Sequence, residues 1–240
     1  MTCMNNMKTL LENDFIATYG IKSEVSVAAL QIKEIEFDLD DDLDSIPSPI
    51  QLKALGDGKV SFRNEKGEIE IVHYEDFIDQ CKKPRSFLNG RKKCDYLMTH
   101  TDKCGTAMLV EITSAHGTKE NLSKPIPHRN KAKSILFEGG KYEKCEEQLW
   151  QSLSDLKIVP SIAHKLDSYA RKICLMAYEV KPNTEKQAEP KEAIIRRPFN
   201  RYLKEESRST SEDGAIVPCP KIEALGFEYR RIEHGYVFQL

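Results

Sequence analysis

The chain has 240 residues, of which 40% are hydrophobic and 31% charged, and its net charge is −2 at pH 7. This is an ordinary soluble globular profile, long enough for one domain or for one domain with an appendage. The near-neutral charge excludes a globally basic nucleic-acid-binding protein. Any contact with nucleic acid would therefore need a local basic face.

The cysteine pattern argues against a disulfide framework and against a structural zinc site. There are seven cysteines, an odd number, and no Cys-x-x-Cys pair occurs. Such a pattern favours a reducing compartment, so the expected location is the cytoplasm. The N-terminus has no cationic segment followed by an apolar one, and no apolar run is long enough to span a bilayer. We therefore expect no signal peptide and no membrane partner.

The first predicted elements are a helix and a strand, followed by a hairpin. Met7–Tyr19 has apolar residues at helical spacing, and Val25–Leu39 alternates in part like a strand. An aspartate-rich run over residues 38–44 lacks the glycine and the distal glutamate of a calcium loop, which favours a solvated loop. Lys59–Phe62 and Glu68–Val72 flank a short glycine-containing turn, which predicts a β-hairpin.

A second predicted hairpin carries the most informative residues. Its two apolar runs are Lys93–Met98 and Ala107–Thr113, with the polar turn Thr101–Gly105 between them. Each strand places one carboxylate, Asp95 or Glu111, in an apolar context. A carboxylate removed from water costs free energy unless something compensates it. The pair therefore suggests a cation site for magnesium, manganese or another hard, oxygen-seeking metal.

The remaining elements are predicted from their apolar spacing. Gly140–Leu156 has an apolar stripe at steps of three and four, typical of an amphipathic helix. Ala170–Val180 is a nearly continuous apolar run, which indicates a strand covered on both faces. Ile194–Glu206 is predicted as a basic helix, and Phe227–Leu240 as a final hairpin. The expected segments are 1–58 (helix and strand), 59–180 (core) and 181–240 (linker, basic helix and hairpin), packed as one unit.

The order of the central elements resembles that of the PD-(D/E)XK superfamily, the restriction-endonuclease-like nucleases. Cys94-Asp95-Tyr96-Leu97 resembles its aspartate motif, Val110-Glu111-Ile112-Thr113 its second motif, and Glu146-Glu147-Gln148-Leu149 its helix. The resemblance implies an α/β (α+β) fold with a central mixed sheet flanked by helices, here with a C-terminal β-hairpin extension. It also implies that Asp95 and Glu111 bind Mg²⁺ or Mn²⁺.

Thr113 stands where that family has a lysine. Side chains alternate along a strand, so Glu111 and Thr113 share a face, but a hydroxyl carries no positive charge. Lys144, four residues before Gln148, is one candidate substitute, and Lys119 is another. The catalytic set that the resemblance implies is Asp95, Glu111, Thr113, Lys144 and Gln148.

Several alternatives stay open from the residues alone. Asp95 could pair with Lys92 or Lys93 instead of binding a metal. Glu75 and Asp76 could extend the acidic cluster, and His116 could face the same cleft. Three basic stretches, at 82–93, 124–133 and 196–204, are candidate phosphate contacts, and the last interleaves arginine with aromatic residues that could stack on bases.

Two functions follow as expectations. The first is metal-dependent hydrolysis of nucleic acid, most plausibly DNA. The second is a catalytically inactive module of the same fold that binds nucleic acid or a protein partner within a complex, which Thr113 and the modest net charge favour. The apolar C-terminus could also pair with a second copy, and a homodimer would suit cleavage of both strands.

Overall fold

A computed structural model describes residues 6–22, 24–40, 50–81, 92–127, 136–181 and 214–240. These residues form an α+β fold with a mixed sheet of seven strands, smaller sheets of three and two strands, and flanking helices. The predicted α+β class and the mixed sheet flanked by helices are therefore confirmed.

The strands are β1 (Ala29–Ile32), β2 (Glu36–Leu39), β3 (Val60–Arg63), β4 (Ile69–His73), β5 (Tyr96–His100), β6 (Thr106–His116), β7 (Ile126–Pro127), β8 (Leu136–Phe137), β9 (Arg171–Lys181), β10 (Ala215–Ile216), β11 (Glu228–Glu233) and β12 (Val237–Gln239). The helices are α1 (Met7–Leu10), α2 (Ile16–Tyr19), α3 (Tyr74–Gln80), α4 (Gly140–Ile158), α5 (Pro160–Asp167) and α6 (Pro220–Glu223). A π-helical turn (Leu11–Phe15) joins α1 to α2, and a 3-10 helix covers Lys119–Leu122.

The large sheet has the strand order β1-β4-β5-β6-β9-β11-β10. Strands β4, β5 and β6 form an antiparallel meander, and β6, β9 and β11 run parallel to one another. The predicted hairpin of β5 and β6 is thus confirmed. Helices α4 and α5 lie in the crossover from β6 to β9, because parallel neighbours need a connection that returns to the same end of the sheet.

Helix α4 forms because its apolar residues recur along one side. Cys145, Leu149, Leu153 and Leu156 are all fully buried in the core under the large sheet. The helix ends at Ile158, and Pro160 takes the first turn of α5, where a missing backbone N–H costs nothing. The predicted helix over 140–156 is confirmed, two residues longer than its pattern.

Two hydrophobic cores lie on opposite faces of the large sheet. The helices α1 to α6 cover one face, and the three-stranded sheet β12-β3-β2 contributes to the core on the other. Aromatic packing marks this second core: Phe62 lies 5.4 Å from Phe37 and 6.3 Å from Phe238, between ring centroids. The functional candidates on the helix-covered face are therefore held between a sheet and α4.

The β-hairpin predicted over residues 59–72 is wrong. Strand β3 pairs with β2 and β12, whereas β4 pairs with β1 and β5 in the other sheet. The turn around Gly67 joins two sheets instead of two paired strands, because Phe62 is buried in the core between them. The predicted single strand over 25–39 is likewise split into β1 and β2, one in each sheet.

The predicted C-terminal β-hairpin extension is also wrong. Strand β11 pairs with β9 in parallel, and β12 pairs with β3 in parallel, in the second sheet. Gly235 (φ 91°) turns the chain from one sheet to the other. The physical reason is burial: Tyr229 enters the helix-covered core, while Phe238 fills the core between the sheets.

Several sequence predictions fall outside the described residues. These are the basic helix over 194–206 with its arginine–aromatic stretch, most of the basic stretches at 82–93 and 124–133, the loop over 182–192 and most of the acidic run over 38–44. In the described ranges, no helix has both the length and the apolar character needed to cross a membrane.

Glu70 fastens the first helix to the large sheet. Its side chain, only 3% exposed on β4, accepts hydrogen bonds from the backbone N–H groups of Met7 (2.6 Å) and Lys8 (3.0 Å). We expect Glu70→Ala to lower the free energy of unfolding by about 1–2 kcal/mol, the cost of losing a helix cap. Glu68→Ala is the matched control, because among the described residues the Glu68 side chain makes only a 4.0 Å contact with Lys33. Urea denaturation measures both, and equal effects would contradict the capping role.

Candidate functional site

Asp95 is fixed at the junction before β5. Its backbone N–H donates to the carbonyl of Val110 at 3.1 Å, and its carbonyl accepts from the N–H groups of Tyr74 (2.9 Å) and Glu75 (3.2 Å). Its Oδ2 accepts a hydrogen bond from the N–H of Ile112 at 2.6 Å. The carboxylate is therefore bound directly to the strand that carries Glu111, and only 6% of Asp95 is exposed.

Glu111 lies in the middle of β6, on the face that α4 covers. Its neighbours on that face, Leu109 and Ala115, belong to the helix-covered core, and Glu111 is 3% exposed. Its Oε2 is buried and makes no hydrogen bond to any described residue. A buried carboxylate oxygen without a donor is costly, so this position demands a cation, a proton or water.

The pKa values of both carboxyl groups are raised, mainly because both groups are buried. The pKa of Asp95 is raised to about 7, mainly by burial and also by the nearby Glu75, against the hydrogen bond from Ile112. Burial also raises the pKa of Glu111 well above its ordinary value, and the negative charge of Asp95 adds to this rise. The alternative in which Asp95 is neutralised by Lys92 or Lys93 is not seen: Lys92 pairs with Glu147, and Lys93 with Glu75 and Asp79.

Lys144 and Gln148 project from α4 toward this pair. Lys144 is exposed, and its charge lowers the pKa values of both Asp95 and Glu111 through space. Gln148 donates from Nε2 to the carbonyl of Lys93 at 2.9 Å, and its Oε1 is buried without a partner among the described residues. The Gln148 side chain also opposes the rise in the pKa of Glu111, which puts it beside that carboxylate.

Thr113 is half-buried two residues after Glu111, opposite Tyr178 of β9. The other candidate lysine lies elsewhere: Lys119 forms an ion pair with Glu233 at 2.5 Å and lies 5.9 Å from the ring centroid of Tyr178. The structure therefore brings Asp95, Glu111, Lys144 and Gln148 together, with Thr113 beside them. It does not bring Lys119 to the carboxylates.

Of the other acidic candidates, Glu75 lies near the carboxylate pair, whereas Asp76 does not. Glu75, at the start of α3, raises the pKa values of both Asp95 and Glu111, so it belongs to the same electrostatic cluster. Asp76 is buried elsewhere, with Oδ2 accepting a hydrogen bond from Gln80 at 2.9 Å. His116 is exposed at the end of β6 and does not perturb the pair.

Lys59 is a member of the cluster that sequence reasoning missed. It precedes β3, forms an ion pair with Asp40 at 2.9 Å, and lowers the pKa of Asp95 through space. No sequence signal could have found it, because Lys59 reaches Asp95 only through the stacking of the two sheets. The buried thiols of Cys94 and Cys145 also adjoin the pair, and burial raises their pKa values, so they stay neutral.

The chemistry of these groups suits a hard cation only in part. Across the described ranges, no three His, Cys, Asp or Glu side chains are grouped so that they could hold one metal ion. The two carboxylates and the amide oxygen of Gln148 are nonetheless all oxygen donors, and one oxygen on each of Glu111 and Gln148 lacks a hydrogen bond among the described residues. Mg²⁺ is commonly bound through one or two carboxylates, several waters and a substrate phosphate. The residues present therefore fit Mg²⁺ in this form, with two carboxylates as ligands and waters or a phosphate in the remaining positions.

No family model, curated protein or solved structure matches the chain.

Proposed function

We propose that the chain is a metal-dependent phosphodiester hydrolase that acts on nucleic acid, with DNA as its substrate. The observation that carries the proposal is the Asp95–Glu111 pair. Both carboxyl groups are buried, the negative charge of Asp95 raises the pKa of Glu111, and Oε2 of Glu111 has no donor among the described residues. Structural burial alone would favour replacing such a pair with apolar residues. Retention of the pair is expected where the site binds a cation.

Asp95 and Glu111 would hold Mg²⁺ or Mn²⁺, which polarises a phosphate oxygen and lowers the pKa of bound water. The hydrogen bond from Ile112 fixes Asp95, and the bond from Gln148 to the carbonyl of Lys93 fixes the amide beside Glu111. The hydroxyl of Thr113 can accept or donate a hydrogen bond to the attacking water. Lys144 supplies the positive charge that Thr113 lacks, next to where the phosphate charge develops.

The arrangement of elements also supports this proposal. The meander β4-β5-β6, the helix α4 and the parallel strand β9 follow one another in the order that the restriction-endonuclease-like resemblance implies. Asp95 immediately precedes β5 and Glu111 lies on the adjacent strand β6, with α4 covering the face of Glu111. Fold-level analogy raises the expectation of hydrolysis, but the chemistry rests on the carboxylate pair.

The second candidate is a binding module of the same architecture without catalysis. Two observations favour it: Thr113 carries no charge, and Lys144 is exposed without an ion pair among the described residues. In that case the protein would bind nucleic acid or a protein partner without cleaving it. The two candidates differ in whether a divalent cation binds and in whether phosphodiester bonds are cut.

Titration calorimetry with MgCl₂ and MnCl₂ tests the proposal first. We expect the wild-type chain to bind at least one of these ions, and Glu111→Ala to abolish the heat of binding because half of the carboxylate pair is lost. Glu228→Gln is the matched control, since Glu228 is 53% exposed and paired with Arg230.

A cleavage assay on plasmid and on single-stranded DNA follows with the same variants and with Asp95→Asn. Metal-dependent cleavage that Glu111→Ala and Asp95→Asn reduce to background would support hydrolysis. Metal binding without any cleavage would support the binding module. If the wild-type chain binds neither ion, with nucleic acid absent and then present, the hydrolase proposal is wrong.

A further inference from the structure

A second group of side chains lies near the carboxylate pair, at the ends of the parallel strands. In the β6–β9 register, Glu111 lies opposite Met176 and Thr113 opposite Tyr178. Both Met176 and Tyr178 pack in the helix-covered core, so Tyr178 is on the face of Glu111. At about 3.3 Å per residue, it lies one row, or about 7 Å, further along the strands.

Two lysines without acidic partners lie above this row. Lys141 and Lys144 are three residues apart on α4, which puts them on one side of the helix. The ammonium group of Lys141 donates to the carbonyl of Ser114 at the end of β6, and in the described ranges neither lysine pairs with a carboxylate. Burial lowers the pKa of Lys141, and the charges of Lys144 and Lys181 lower it further. An anion bound here would relieve this repulsion.

The aromatic side chain beside these lysines is firmly held. The rings of Tyr142 and Tyr178 are 6.3 Å apart at 81°. The guanidinium of Arg231 stacks 4.1 Å from the centroid of Tyr142 and forms an ion pair with Glu146 at 2.7 Å. Tyr178 itself is half-buried, with Lys119 near its ring. Tyr178 lies opposite Thr113, and Lys141 donates to the carbonyl of the next residue, Ser114, so the ring and Lys141 lie near the same end of β6. An aromatic ring close to basic side chains is the combination that single-strand-binding proteins use.

We propose that Lys141, Lys144 and Tyr178 form a subsite for single-stranded nucleic acid beside the Asp95–Glu111 pair. The lysines bind the backbone phosphate, and Tyr178 stacks on an unpaired base. Paired bases inside a duplex have both faces covered by their neighbours, so only an unpaired nucleotide can use the tyrosine. This inference rests on the proposed function, because it names the substrate class of the same site.

Binding without cleavage tests the subsite. Fluorescence anisotropy in EDTA compares a labelled oligo(dT) of about 15 nucleotides with a duplex of the same length. We expect the wild-type chain to bind the single strand more tightly. Tyr178→Ala should lose about tenfold in affinity for it, whereas Tyr178→Phe, which keeps the ring, should not. Lys144→Ala should weaken binding and lower the slope of log affinity against log salt by about 0.7.

Lys33→Ala is the matched control, because the side chain of Lys33 is 78% exposed and lies next to β1, away from the site. Circular dichroism checks that each variant folds, and if Tyr178→Ala does not fold, the Lys144→Ala comparison still decides. Equal affinity for single strand and duplex, or a loss in Lys33→Ala equal to that in Lys144→Ala, would overturn the subsite.

The subsite and the hydrolase can fail separately. Selective single-strand binding with no cleavage under any divalent metal would leave the subsite standing and remove the hydrolase. Metal-dependent cleavage with no effect of Lys144→Ala or Tyr178→Ala on single-strand affinity would support the hydrolase and overturn the subsite.

Discussion

Glu111→Gln is expected to raise the free energy of unfolding by about 1–3 kcal/mol at about pH 8, because the buried carboxyl group is costly to ionise in the folded chain and its amide replacement does not titrate. The new amide N–H group can donate to the unpartnered Oε1 of Gln148. The substitution therefore removes a charge and supplies a missing hydrogen bond, while it is expected to abolish metal binding. Stability gained with function lost is the usual signature of a functional carboxylate.

The gain in unfolding free energy from Glu111→Gln should increase as the pH rises. The pKa values of Asp95 and Glu111 are raised in the folded chain, so between the ordinary carboxyl pKa and the folded values the native state binds more protons than the unfolded state. Wild-type stability consequently falls as the pH rises through this window, which reaches about 7 for Asp95. The advantage of Glu111→Gln should therefore be largest above this window and shrink as the pH falls through it.

Urea denaturation in EDTA at several pH values measures this difference, with Glu228→Gln as the control. Glu228 is an exposed carboxylate, so its replacement should leave the unfolding free energy nearly unchanged at every pH. A loss of stability in Glu111→Gln across the whole range would mean that the carboxylate is structural, and it would weaken the case for a cation site.

Gly140→Ala is expected to lower the free energy of unfolding by about 3–5 kcal/mol, because two costs add at that position. Gly140 has φ +67°, and a Cβ there would lie 2.5 Å from the carbonyl oxygens of Leu122 and Lys124. The start of α4 cannot move away without shifting Lys141, Lys144 and Gln148.

Gly226→Ala is the matched control, since Gly226 has φ +81° but open space around its Cβ position. It carries only the conformational cost, about 1 kcal/mol. Thermal and urea unfolding of both variants separate the clash from the backbone strain. Equal losses would show that the contact with Leu122 and Lys124 relaxes, and that the register of α4 over the carboxylate pair is not rigid.

Local patterns predicted the elements that carry the candidate site. The apolar spacing of α4, the continuous apolar run of β9 and the apolar runs around Asp95 and Glu111 are all properties of short windows of sequence. The pairing of strands was not predictable in the same way. Asn64 to Gly67 has the chemistry of a hairpin turn, yet Phe62 and Ile69 belong to different sheets, because burial of distant partners decided the pairing.

Where the candidate residues lie could be predicted only in part. Asp95, Glu111 and Gln148 could be proposed because each lies on a recognisable element at a known face. Glu75 entered only as an alternative, and Lys59 not at all, because their influence on Asp95 depends on where α3 and the second sheet pack. Tyr178 of the proposed subsite could not be proposed from the sequence for a related reason. It lies opposite Thr113 only because β6 and β9 pair in parallel in this register.

The crossing of the chain at Gly235 has a consequence for how the protein is made. Strand β11 pairs with β9, and β12 pairs with β3 across most of the length of the chain. During synthesis, the edges of β9 and β3 must wait for residues 228–239 to emerge from the ribosome. Such long-range parallel pairing is slow, and open strand edges invite association with other chains. The nascent chain should therefore depend on chaperones until residues 228–239 have emerged, and recombinant yield should improve at low growth temperature.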